Sequence, residues 1–202
     1  MTVPALNVSR ETIARLEQYD ELLRKWNSTI NLVSKASIQD LWQRHIIDSA
    51  QIFKLAPDKT PHWADFGSGG GFPGLVIAIM AMETGLPAKI TLVESDLRKS
   101  TFLRSVIREL GLSATVINDR IEKIPSLNAD IISARALASL STLLDFADRH
   151  LAPNGKALFM KGENWQQELS DAQRKWRFQH QLVTSTTESG PVIFKIQGIT
   201  RV

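Results

Sequence analysis

Apolar residues recur at three- and four-residue steps from Ile13 through Leu16 and Leu23 to Trp26, the period of one helix face. Ser9 stands ahead of that run as an N-cap, so the pattern predicts a helix from Ser9 to about Asn27. Ile38, Leu41, Trp42, Ile46 and Phe53 repeat the period and predict a second helix over 37–54. Pro57 and Pro61 then interrupt the pattern. From Trp63 onward, short apolar blocks alternate with helix-period segments. Strands are predicted to end at Asp65-Phe66 and to cover 89–94, 114–117, 130–134 and 156–160, the last entered through a turn at Pro153-Asn154-Gly155. Helices are predicted over 74–84, from Asp96 to Gly111, and up to His150, with Gly85 and Gly111 as stops. Such alternation specifies a parallel sheet with helices on both faces. A last helix is predicted over 165–176. Strands over 181–187 and 192–198 follow, joined by Ser189-Gly190-Pro191, too short a link for a parallel crossover. The expected fold is α/β and Rossmann-like, a mostly parallel seven-stranded sheet with an antiparallel edge hairpin. Residues 1–60 are expected to form a helical extension packed on the core, and residues 61–202 one compact domain.

Composition narrows the chemistry. The chain has 202 residues and 43% hydrophobic side chains, enough for one sizeable core. It has no cysteine, which excludes disulfides and thiolate metal sites. His45, His62, His150 and His180 are not at metal-ligand spacing, so no metal is expected. The longest apolar run, 75–82, is too short for a membrane span, and the first ten residues do not read as a signal peptide. A cytoplasmic protein is therefore expected. The net charge of +3 permits a nucleic-acid partner without demanding one.

The segment Trp63-Ala-Asp-Phe-Gly-Ser-Gly-Gly-Gly-Phe-Pro-Gly74 reads as strand, glycine turn and helix start. Gly67, Gly69 and Gly71 permit close ligand approach and positive φ, and Pro73 suits a first helical turn. Gly69-x-Gly71-x-x-Gly74 also fits the dinucleotide fingerprint. Asp65, however, would repel a pyrophosphate and suits a cationic ligand. The pattern D-x-G-x-G-x-G resembles the cofactor loop of S-adenosylmethionine methyltransferases, whose ligand carries an ammonium and a sulfonium. A dinucleotide enzyme and a glycine turn without ligand are the competing readings.

Ligands on such sheets bind beyond the carboxyl ends of the strands. Glu94, after the second strand, is placed to accept ribose hydroxyls. Asp119-Arg120-Ile121-Glu122 follows the third, with Ile121 as a surface for an adenine ring. Arg135 and Lys161-Gly162 follow the fourth and fifth. The fourth strand ends Ser133-Ala134-Arg135-Ala136 and lacks the [D/N/S]-P-P-[Y/F] motif of amino-group methyltransferases. Attack at pyrimidine C5 would need the absent cysteine. A target with a free in-plane lone pair, such as guanine N7, needs neither device. No general base is then expected, because no proton must leave before attack.

Trp26-Asn27-x-x-x-Asn31-Leu32, Arg44-His45-x-x-Asp48-Ser49, Asp65-x-Gly67-Ser-Gly-x-Gly-Phe-Pro-Gly74, Ser133-Ala-Arg135-Ala136 and Lys161-Gly162 occur in the order and spacing of a known family. The chain resembles, over nearly its whole length, the bacterial 16S rRNA guanine-N7 methyltransferases (RsmG, once called GidB). The resemblance implies the S-adenosylmethionine methyltransferase fold and N7 methylation of guanine 527 in the 530 loop. It implies cofactor contacts at Gly67, Phe72, Ile121, Glu122 and Arg135, beside those read from Asp65, Gly69, Gly71 and Glu94. It gives the Arg44–Asp48 helix a place at the methyl-transfer pocket; the one-turn spacing by itself puts His45 and Asp48 on one face as a pair. Arg135, His45, Asp48 and Lys161 are the positioning candidates. Arg44, Arg98, Lys99, Lys161 and Arg201 are the RNA-binding candidates, mostly through phosphates. The partner is then 16S rRNA or the small ribosomal subunit, and the enzyme a monomer. Gly70 and Glu94 depart from the Ala or Pro and the Asp common in the family. A methyltransferase acting on a small molecule or a protein, and a non-catalytic S-adenosylmethionine-binding module, are the alternatives.

Overall fold

A computed structural model describes residues 6–57, 59–187 and 190–202. Helix α1 (Arg10–Asn27) is capped by Ser9, whose hydroxyl accepts from Thr12 N at 3.2 Å. Thr12 Oγ1 in turn donates to Glu83 at 2.8 Å, which ties the cap to α3 (Gly74–Thr84). The helix expected over 37–54 is two pieces: a π-helical segment, Trp42–Ile47, running into α2 (Asp48–Phe53). Single π turns inside helices frequently accompany functional sites.

Strands β1 (His62–Phe66), β2 (Lys89–Val93), β3 (Thr115–Ile117), β4 (Ala129–Arg135) and β5 (Leu151–Lys161) are parallel, and β6 (Trp176–Thr184) and β7 (Val192–Arg201) add the antiparallel edge. The sheet order is β3-β2-β1-β4-β5-β7-β6. Strand order therefore reverses between β1 and β4, which opens a crevice at their carboxyl ends. Helix α4 (Leu97–Leu110) is capped by Asp96 and stopped by Gly111 at φ 64°. Helices α5 (Leu140–His150) and α6 (Trp165–Gln173) complete the second layer.

Three boundaries differ from the periodic reading. Strand β5 starts at Leu151 rather than after the 153–155 turn, because a register shift opposite Ala129–Ile131 absorbs the Pro-Asn-Gly residues within the strand. Helix α6 stops at Gln173. Trp176, expected as the last helical residue, instead opens β6 and is buried. Strand β6 spans Trp176–Thr184 rather than 181–187. The hairpin turn expected at Ser189-Gly190-Pro191 lies partly outside the described residues.

Two apolar clusters fill the faces of the sheet. One joins Leu16, Tyr19 and Leu23 of α1 with Ile46, Leu75, Ile79 and Phe102, so the N-terminal helices share a core with α3 and α4. The other joins α5 and α6 to the opposite face through Leu143, Ala147, Ala172 and Trp176. The eight residues Gly74–Ala81 are all buried, which matches the unbroken apolar run of that helix.

Candidate active site

A cavity of about 550 Å³ opens at the carboxyl ends of β1, β2 and β4. Its floor is the 67–70 loop, with Phe72, Glu94, Ile121 and Arg135 around it. Gly67 and Gly69 hold φ of 62° and 54°, backbone that favours glycine. Glu94, 8% exposed, fixes the loop from the side: Oε2 accepts from Gly69 N and Oε1 from Asp96 N, both at 2.8 Å. Carboxylate oxygens have further lone pairs, so Glu94 can still accept from a ligand hydroxyl. Glu122 and Lys99 also line the cavity.

Asp65 does not line it. The carboxyl is fully buried beneath the loop, where Oδ1 accepts from Ser133 Oγ at 2.7 Å and Oδ2 from Gly74 N at 3.2 Å. Burial pushes its pKa up to about 6, against the lowering pull of its hydrogen bonds to Ser133, Ser68 and Gly74. The expected direct contact with a cationic ligand is thus corrected: Asp65 braces the loop and the start of α3. Gly71 likewise turns from the cavity, and a Cβ there would stand 2.4 Å from Leu75 Cδ1 and 2.8 Å from the Tyr19 hydroxyl. That hydroxyl donates to Gly70 O, a bond from α1 to the loop that no local motif announces.

Arg135 reaches from β4 to the π-helical segment. Its Nη2 donates to Arg44 O at 2.7 Å and lies 3.5 Å from Asp48 Oδ2. Asp48 Oδ1 accepts from Gln51, Ser185 and Thr187. His45 is not its partner, as the one-turn spacing suggested. The wider π turn takes position 48 out of register with position 45, and His45 stacks on Phe72 instead, with ring centroids 4.9 Å apart. Its ring nitrogens have no hydrogen-bond partner among the described residues. Burial, then Arg135 and Arg44, lower its pKa to about 3. His45 is accordingly neutral at physiological pH. Its imidazole NMR shifts are expected to stay flat from pH 5 to 8, and a midpoint between 6 and 7 would contradict the buried stack.

Lys161 is 9% exposed at its side chain; Nζ donates to Ala138 O at 2.8 Å and sits 2.7 Å from Glu168 Oε2. It faces a second cavity of about 200 Å³ rather than a surface for phosphates. Arg44 and Arg98 are exposed at the same end of the sheet as the cavity. Arg201 is not with them: β7 leaves Lys161 at Val192, so Arg201 sits at the far end, over Trp176 and 3.4 Å from Asp145. Sequence reasoning passed over Tyr19, Gln51, Ser185 and Thr187; the last two lie in a polar run beside a turn, where periodicity carries no signal. It also passed over His150, whose Nε2 donates to Ile121 O at 3.0 Å and steadies the loop beneath the cavity. Among the described residues no helix is long and apolar enough to cross a membrane, and no cluster of His, Asp or Glu suits a metal.

The fold is shared with solved methyltransferases. A S-adenosylmethionine-dependent methyltransferase from Aquifex aeolicus superposes with a TM-score of 0.59 at 15% identity, over 88% of this chain and 97% of that one. A methyltransferase from Geobacter sulfurreducens gives 0.59 at 13% identity, over 95% and 91%. In sequence, the ribosomal RNA small subunit methyltransferase G of Ruegeria sp. (strain TM1040) is 55% identical, over 98% of this chain and 96% of its own length. That of Cereibacter sphaeroides (strain ATCC 17025) is 47% identical over 98% and 95%. The family model of rRNA small subunit methyltransferase G, GidB, matches residues 12–193. On that match and those identities, the chain belongs to the rRNA small subunit methyltransferase G family.

Proposed function

We propose that this enzyme transfers the methyl group of S-adenosylmethionine to N7 of a guanine, guanine 527 in the 530 loop of 16S rRNA, on the small ribosomal subunit in the cytoplasm. The observation that carries the reading is the convergence of the 67–70 loop, Glu94, Ile121 and Arg135 on one cavity at the point where strand order reverses. These residues fit the cofactor: Glu94 suits ribose hydroxyls, Ile121 an adenine face, and the positive-φ glycines a close backbone approach. When bound, the cofactor would supply an electrophilic methyl group on a sulfonium, which the N7 lone pair could take without loss of a proton.

The chain's own residues then have to orient, not to move protons. Arg135, held by Arg44 O and Asp48, links the cofactor cavity to the N-terminal helices. Neutral His45, stacked on Phe72, gives the cofactor cavity an uncharged wall. Arg44, Arg98 and Lys99 serve the rRNA backbone as phosphate contacts.

The test is methyl transfer from labelled S-adenosylmethionine to small subunits from cells lacking this gene, with naked 16S rRNA in parallel and the product mapped by cleavage at 7-methylguanosine. Label at one guanine of the 530 loop is expected. Label on a protein or small molecule alone, or none on either RNA despite cofactor binding, would overturn the assignment.

A further inference from the structure

The second cavity shares Arg135 and Ala136 with the cofactor cavity, so the two meet at one wall. Asp48, Lys161, Ser185 and Met160 line it. We propose that this smaller cavity receives the flipped target base, and that Asp48 and Lys161 read its Watson–Crick edge as guanine. The inference rests on the guanine-N7 reading above and names the residues that select the base.

The donor and acceptor inventory carries it. Guanine presents O6 as acceptor and N1–H and the N2 amino as donors on its Watson–Crick edge. Asp48 is 14% exposed at its side chain. Three donors from Gln51, Ser185 and Thr187 fix its Oδ1, while Oδ2 faces Arg135 across 3.5 Å. An acceptor oxygen is thus held rigidly at the shared wall, suited to N1–H and the N2 amino. Lys161 has three N–H bonds, two of them directed at Ala138 O and Glu168. The third suits O6. Adenine would turn the N1 lone pair toward the carboxylate and an amino group toward the ammonium, leaving both charges mispaired.

The same contact favours reaction. Methylation places positive charge on the purine and makes N1–H a stronger donor. The bond to Asp48 therefore tightens as the methyl group arrives, which is transition-state rather than ground-state binding. The three donors on Oδ1 come from Gln51, one turn on in the same helix, and from the distant 185–187 segment, so the carboxylate is preorganised.

The decisive experiment uses reconstituted small subunits carrying either guanine or inosine at the target position. Inosine keeps N7, O6 and N1–H but lacks the N2 amino. Wild-type enzyme is expected to favour guanine in kcat/KM by roughly 10–100-fold, the range of a hydrogen bond to a charged group. Asp48→Asn is expected to slow transfer to guanine and shrink the guanine-to-inosine ratio to within about threefold. Its S-adenosylmethionine affinity, measured by calorimetry, is expected to stay near wild type. An Asp48 that only held Arg135 would slow both substrates equally, and an unchanged ratio in the variant would overturn the proposal. So would a wild-type enzyme indifferent to the N2 amino, a result that needs no variant to fold. Absence of transfer to guanine subunits by the wild type would instead sink the function reading on which this one rests.

Discussion

Gly74→Ala is expected to lower the unfolding free energy by about 2–3 kcal/mol, the range of an overpacked core. Two effects oppose each other here. Gly74 opens α3 without a positive φ, so alanine suits the backbone and would by itself stabilise by roughly 0.4–1 kcal/mol. The added Cβ, however, would stand 2.2 Å from Leu92 Cδ2, 2.7 Å from Asp65 Oδ2 and 2.9 Å from Asp65 Cβ. Leu92 is fully buried in β2, and Asp65 is fixed by Ser133 and by Gly74 N itself. Neither neighbour can retreat without breaking packing or a buried hydrogen bond, so the clash wins. The 67–70 loop stands on that same Asp65 brace, and cofactor affinity should fall along with the urea midpoint. A variant as stable as wild type would mean that Leu92 and Asp65 give way, and that Gly74 answers to something other than close packing.

That contrast marks what the chain discloses by itself. The alternation of short apolar blocks with helix-period runs gave the order of elements, and the strand-end rule then pointed to Gly67, Glu94, Ile121 and Arg135, all of which line the cavity. These are local signals: a turn residue, a cap, the first residue after a strand. Which way Asp65 faces is not local. Its position at a strand end is equally compatible with a ligand contact and a buried brace, and only the distant Ser133 on β4 decides between them. The same holds for Arg135 and Asp48, far apart in sequence and brought together by the packing of the N-terminal helices on α3. The π-helical segment is also invisible to a 3.6-residue period, and it undid the expected His45–Asp48 pair. Arg201 was grouped with the other cations on charge alone; the antiparallel course of β7 carries it away from them.

Glu94→Ala is expected to weaken S-adenosylmethionine binding by roughly 10–100-fold, equivalent to about 1.4–2.8 kcal/mol. Two losses add. A charge-assisted hydrogen bond to the ribose disappears; in a cavity open to water it is worth only the lower part of the roughly 1.5–3 kcal/mol such bonds give. Gly69 N and Asp96 N also lose their acceptor, so the loop gives up part of its preorganised shape. Glu94→Gln separates the two. The amide keeps one acceptor oxygen but turns its NH₂ toward either Gly69 N–H or Asp96 N–H, setting a donor against a donor. It should therefore lose nearly as much affinity as alanine despite its matched size. Calorimetry with 5′-methylthioadenosine, which keeps the ribose and adenine without the amino-acid arm, locates the contact. An equal drop for both ligands places Glu94 at the ribose. A drop confined to S-adenosylmethionine would move it to the amino-acid end, and unchanged affinity for both would leave Glu94 as a brace of the loop with no part in holding the cofactor.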